Sequence, residues 1–177
     1  MLRPCLVWVL RCVLLAFWLV PAHPFAAEPP FAGLPIPDHA SLVAAVIADG
    51  VQIYEAKRLE SGGYRWELKG PQAVLTAISG ERFGRHDVGP TWTADDGSQV
   101  VGTVMAKADA PGPNAIPWLL LTVKAKTGSG VLSGVDYVLR VGTAGGNAPP
   151  DPPTQEGETK RTPYRALYLF LKKTAGS

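Results

Sequence analysis

From about residue 50 onward, apolar and polar side chains alternate in short runs punctuated by Gly, Pro and Asp, the rhythm of strands that bury one face. Leu119, Leu121, Val123 and Ala125 share one side of such a run, with Thr122, Lys124 and Lys126 on the other. The run VLSGVDYVLRVGT places Val131, Val135, Tyr137, Leu139 and Val141 on one face and Asp136, Val138 and Arg140 opposite. The glycines at 128 and 130 between these runs predict a hairpin. In YRWELK, Tyr64, Trp66 and Leu68 alternate with Arg65, Glu67 and Lys69, and the SGG before it predicts a hairpin with VQIYEAK. AVLTAIS and SQVVGTVMAKA read as further strands.

Two runs fit the pattern less simply. SLVAAVIA, residues 41–48, has helical spacing at Leu42, Val43, Val46 and Ile47, but Gly50 and the β-rich run after it turn the reading towards a strand. YRALYLFLK is apolar on both faces, as a strand covered on each side is. Seven to eight strands at short intervals predict an all-β antiparallel sandwich or closed barrel with little helix. Residues 144–163, with five prolines and three glycines, form a long connection, read here as a solvated crossover loop ahead of a lid.

Ahead of this pattern, MLRPCLVWVLRCVLLAFWLVPAHPFAAEPP carries Arg3 and Arg11, an apolar run from Cys12 to Val20, then small residues and prolines. That is the layout of a secretory signal peptide cleaved between residues 22 and 27, and it predicts a periplasmic or secreted protein. Nine apolar residues in a row fall short of the ~20 that span a bilayer, so no membrane span is expected after removal of the leader. Neither Cys5 nor Cys12 has the small preceding residues of a lipid anchor. Residues 28–40 are expected as an extended segment, 41–172 as one β domain and 173–177 as a tail.

The whole chain has 177 residues, 46% apolar and 18% charged, with 17 Lys and Arg against 15 Asp and Glu. Cleavage after Ala27 leaves 150 residues, 15 basic and 15 acidic, without cysteine. This excludes a disulfide-stapled miniprotein, and a neutral chain lacks the positive field that drives nucleic-acid binding. A domain of this length buries roughly 68–70% of its extended-chain surface, enough for one core.

The densest group of special residues is GRHDVGPTWTADDGS, residues 84–98. Asp96 and Gly97 fit a tight turn, while Gly89 and Pro90 break the approach strand and would turn His86 and Asp87 out of the ladder. His86 is either a base, ligand or hydrogen-bonding group in a pocket walled by Trp92, or a buried imidazole bonded to backbone. A Ser-His-Asp hydrolase needs Ser98 near His86, and direct pairing about Asp96 and Gly97 separates them by nine residues, ~30 Å. No G-x-S-x-G elbow supports that chemistry. With no cysteine and only His39 and His86 beyond the leader, no metal site is assigned, and an Asp95, Asp96, Asp109 oxygen site yields to a plain turn. Trp66, Trp92 and Trp118 invite sugar stacking, with core burial the stronger reading for Trp66 and Trp118.

GVQIYEAK, WELKGPQAVL, GRHDVGPTWTADDGSQVVG, AIPWLLL, VLRVGTAGGNAP and the final YRALYLF, in this order, resemble the exported proteins grouped as domain of unknown function 3455. The resemblance spans about residues 42–171 and implies a secreted or periplasmic, β-rich protein with no activity to carry over. It singles out His86, Trp92, Asp96, Ser98, Trp118 and Arg140 as ligand-binding candidates. Gly89, Pro90, Gly97, Pro117, Gly145 and Gly146 are candidate structural positions, and Thr143 and Pro149 also match. It further implies a disulfide between positions near Ala56 and Pro153 that this chain lacks, hence a looser 144–163 loop. The expectation is therefore a binding or envelope-associated module without cofactor, whose candidate partners are a small molecule, a glycan or an envelope protein. The alternatives are a hydrolase of an envelope glycan or ester using His86 with a nearby Asp, and a structural or interaction protein.

Overall fold

The computed structural model describes residue 31 and residues 33–174; the signal-peptide expectation lies outside them. Eight strands follow one another: β1 (Ala40–Arg58), β2 (Tyr64–Ala77), β3 (Arg82–Asp87), β4 (Thr91–Ala94), β5 (Gln99–Ala108), β6 (Trp118–Thr127), β7 (Tyr137–Gly145) and β8 (Thr159–Lys173). Each pairs antiparallel with its neighbour in sequence, and β1 pairs with β8 from Ala40↔Lys173 to Glu55↔Thr159. The sheet is thus a closed up-and-down barrel, which removes every free edge. The all-β expectation holds, and the barrel is the alternative realised. Segment 41–48 is strand, because it must pair with both β2 and β8.

Closure sorts the alternating side chains into two sets. Val46, Ala48, Leu75, Trp92, Val100, Leu121, Val138, Tyr168 and Phe170 point into the barrel and form its core. The outer face of β6, β7 and β8 is apolar as well, and Leu34, with Phe31 and Ile36, packs over Leu120, Leu139 and Val141. This second layer is why β8 is apolar on both faces: Tyr164, Tyr168 and Phe170 go inward, while Leu167 and Leu169 go outward beneath the N-terminal segment. Elsewhere the outer face carries exposed ion pairs, such as Arg82 with Asp95, Arg85 with Asp87 and Arg165 with Asp49.

Four local expectations are corrected. Gly89 and Pro90 do not turn His86 out of the ladder; they make the β3–β4 turn, and His86 pairs with Trp92 on one side and Ala73 on the other. The β6–β7 connection runs to residue 136 rather than turning at 128–130, and Val135 is a buried loop residue instead of a strand residue. On β7 the faces separate as expected from Tyr137 onward, but the more apolar set faces outward and Val138 and Arg140 face inward, because Phe31, Leu34 and Ile36 cover the outside. The long connection shrinks to residues 146–158 once β7 and β8 take its ends. It is fastened to β1 and β2 by Gly157 N to Ala56 O, 3.0 Å, Ala56 N to Glu158 O, 2.8 Å, and Trp66 Nε1 to Asp151 O, 2.8 Å.

The two ends of the barrel differ. At one, the 128–136 loop drops Leu132 and Val135, both fully buried, into the opening. Asp96 holds it there: one carboxylate oxygen accepts from Val131 N at 2.7 Å, the other from Ser98 N and Oγ at 2.9 and 2.6 Å. Ser98 Oγ in turn accepts from Leu132 N at 3.1 Å. Gly97, at φ +87°, supplies the left-handed turn residue that brings Asp96 and Ser98 face to face. The opposite end, formed by the β3–β4 turn and the starts of β2 and β6, opens into a cavity.

Candidate functional site

The cavity measures about 370 Å³ and lies between the β3–β4 turn and the β1–β7–β8 wall. Gln52, His86, Trp92, Leu119, Leu121, Arg140 and Tyr168 line it, and Leu68, Val88 and Val104, each about half exposed, ring its mouth. It is more than twice the roughly 150 Å³ that holds a benzene molecule in an apolar core. Eight strands enclose room for side chains or for one small ligand. Gly102 gives the Trp92 ring room against β5, since a Cβ would stand 3.0 Å from that ring.

One wall is aromatic. His86 and Trp92 are ladder partners on adjacent strands, so their rings stack at 4.5 Å with planes 2° apart. Tyr168 meets both edge-on, at 5.1 and 5.5 Å. His86 Nδ1 lies 2.8 Å from the Thr91 carbonyl. A carbonyl only accepts, so Nδ1 carries the proton and Nε2 keeps a lone pair. Burial drives the imidazole pKa down to about 3, opposed by the Thr91 bond and reinforced by the Arg140 charge. His86 is therefore neutral at physiological pH.

The facing wall is polar and incompletely paired. Gln52 is 1% exposed, yet neither its amide nitrogen nor its oxygen has a hydrogen-bond partner among the described residues. The same holds for Trp92 Nε1 and for the hydroxyls of Tyr164 and Tyr168, which lie close enough to act on each other and to feel Arg140 but are not in full hydrogen-bond geometry. Burial raises the pKa of both tyrosines, keeping them protonated donors. Burying such a group unpaired costs about 1–3 kcal/mol, so five unpaired atoms in one interior ask for partners the fold does not supply.

Arg140 reaches this space from β7. Its Nε and Nη2 donate to Pro117 O at 3.2 and 2.8 Å. A clamp sets that carbonyl: Ile116 N donates to Gly145 O at 2.9 Å, and Thr143 Oγ1 donates to Ile116 O at 2.6 Å. Gly146 lets Tyr164, Ile116 and Gln52 close together, since a Cβ there would meet all three within 3.2 Å, and its carbonyl accepts from Tyr54 Oη at 2.7 Å. Pro117, Thr143, Gly145 and Gly146 thus orient Arg140. None of the eight ion pairs among the described residues includes it.

Of the sequence candidates, the structure gathers His86, Trp92 and Arg140 on one cavity. It places Asp96 and Ser98 at the opposite end, engaged with each other and with residues 131 and 132. Trp118 stands on the outer face against Phe31, ring centroids 6.4 Å apart, where the sheet needs an apolar cover. The hydrolase alternative uses His86 with a nearby Asp, and the Nδ1 of that imidazole is bonded to the Thr91 carbonyl. Sequence reasoning missed Gln52, Tyr164 and Tyr168. No local signal marks Gln52 as inward, since it lies between apolar Val51 and Ile53 and only pairing on both sides of β1 settles which face is buried.

No curated protein and no solved structure matches the chain. The profile of the family described as protein of unknown function (DUF3455) matches residues 37–172, from before β1 to the penultimate residue of β8, and the chain belongs to that family.

Proposed function

We propose that this is an exported, non-catalytic binding protein that holds one small, largely apolar molecule in the barrel lumen. The observation that carries the reading is the set of buried, unpartnered polar atoms of Gln52, Trp92, Tyr164 and Tyr168 beside a 370 Å³ cavity with an aromatic wall. Concave, mostly apolar sites with a few convergent polar groups are what small-molecule binders present. Recognition rather than turnover fits a neutral His86 held by backbone, with no carboxylate to orient it as a base. Export rests on the leader-like first 27 residues, and mass spectrometry of the processed protein should find an N-terminus at His23 or Glu28.

The test is a thermal-shift screen of mono- and bicyclic compounds against the wild type and Leu119→Trp, which fills the lumen. Some compounds should stabilise the wild type and leave the variant unmoved. Stabilisation of neither protein, or of both equally, contradicts the reading.

A further inference from the structure

We infer that the lumen selects a molecule with a single negative charge, a carboxylate on an apolar ring body, and that Arg140 is the residue that reads it. The inference rests on the lumen being a binding site and adds the ligand's charge. Two cationic side chains line the cavity, Lys69 and Arg140. Lys69 sits at the exposed rim and is paired with Glu55 at 3.3 Å. Arg140 is half-buried and reaches into the cavity, and its two contacts to Pro117 are to a neutral carbonyl.

Its charge is not offset locally. The titratable groups that face it are Tyr54 and His86 from the opposite strands and Tyr164 and Tyr168 from β8, and its field acts on all four. Burial keeps each of them neutral, so the interior carries one net positive charge. A guanidinium in a low-dielectric interior gains most from an anion that accepts its remaining N–H groups in a planar fork. The Pro117 clamp fixes the guanidinium plane before a ligand arrives, so little side-chain freedom is lost on binding.

The other groups complete the description. Tyr168 Oη and Gln52 Nε2, both lining residues without partners, are additional donors for a carboxylate. His86 and Trp92 offer flat stacked faces to a ring, and Val88, Val104 and Leu68 make the mouth apolar. A phosphate or other dianion would bring one more negative charge than the lumen neutralises, which favours a monocarboxylate.

Matched probes separate charge from shape: 2-naphthoate and 2-naphthamide, titrated calorimetrically into the wild type, Arg140→Met and Arg140→Lys at pH 7. The wild type should bind the carboxylate at least about tenfold more tightly than the amide. Arg140→Met should lose that preference, and Arg140→Lys should retain part of it. Equal binding of both probes by the wild type, or an undiminished preference in Arg140→Met, overturns the inference and leaves lumen binding standing. Binding of neither probe, together with a failed thermal-shift screen, overturns both. The comparison of probes on the wild type needs no variant to fold.

Discussion

His86 shows how a single side chain ties stability to acidity. Its folded pKa, about 3, lies below the ordinary 6.5, so the unfolded chain takes up the proton first. Its contribution is fully present above about pH 6.5 and is lost as pH falls towards 3. Between pH 7 and 5 this amounts to about 2 kcal/mol of unfolding free energy, in a range where most carboxylates stay ionised. Urea unfolding at the two pH values should show that loss in the wild type, and a markedly smaller one in His86→Gln. At this scale His86 and Trp92 were legible as a dense cluster of special residues, while Arg140 stood out through the family resemblance. Gln52 did not, because Val51 and Ile53 beside it are apolar too, and only closure of the barrel decides which face is inside.

Among elements, the division of labour runs between the two ends of the barrel. The DDGS turn was readable as a turn, but its purpose was not. Asp96 and Ser98 bond to residues 131 and 132, more than thirty positions away, and no local pattern encodes that meeting. Ser98→Ala should therefore cost about 1–3 kcal/mol, the penalty for leaving the buried Leu132 N–H without its acceptor. Hydrogen exchange at the Leu132 amide should accelerate, while affinity for a lumen ligand stays unchanged because the opposite end is untouched. A fall in affinity would mean that the ends are coupled. The β3–β4 turn shows why the rest was opaque. Gly89 and Pro90 announce a break, but whether a strand leaves the sheet or folds back depends on Trp92 finding its place beside His86 and under Gly102.

For the whole molecule, the all-β class and a count of seven to eight strands follow from the two-residue alternation, whereas the order of the strands and barrel against sandwich do not. That choice turns on pairing β1 with β8, a contact between the two ends of the domain. Once made, closure forces every second residue inward, and because these include Gln52, His86, Arg140, Tyr164 and Tyr168, the interior becomes a polar-edged pocket instead of a dry core. Trp92 and Trp118 give this account its own internal reporters, one in the lumen and one on the outer face. The most direct measurement is the ¹H–¹⁵N spectrum of the indole groups, assigned with Trp92→Phe and Trp118→Phe, during titration with 2-naphthoate. The account predicts that the Trp92 Nε1–H resonance moves and that of Trp118 does not. Movement of Trp118 with Trp92 fixed would contradict it, placing the ligand on the outside of the barrel.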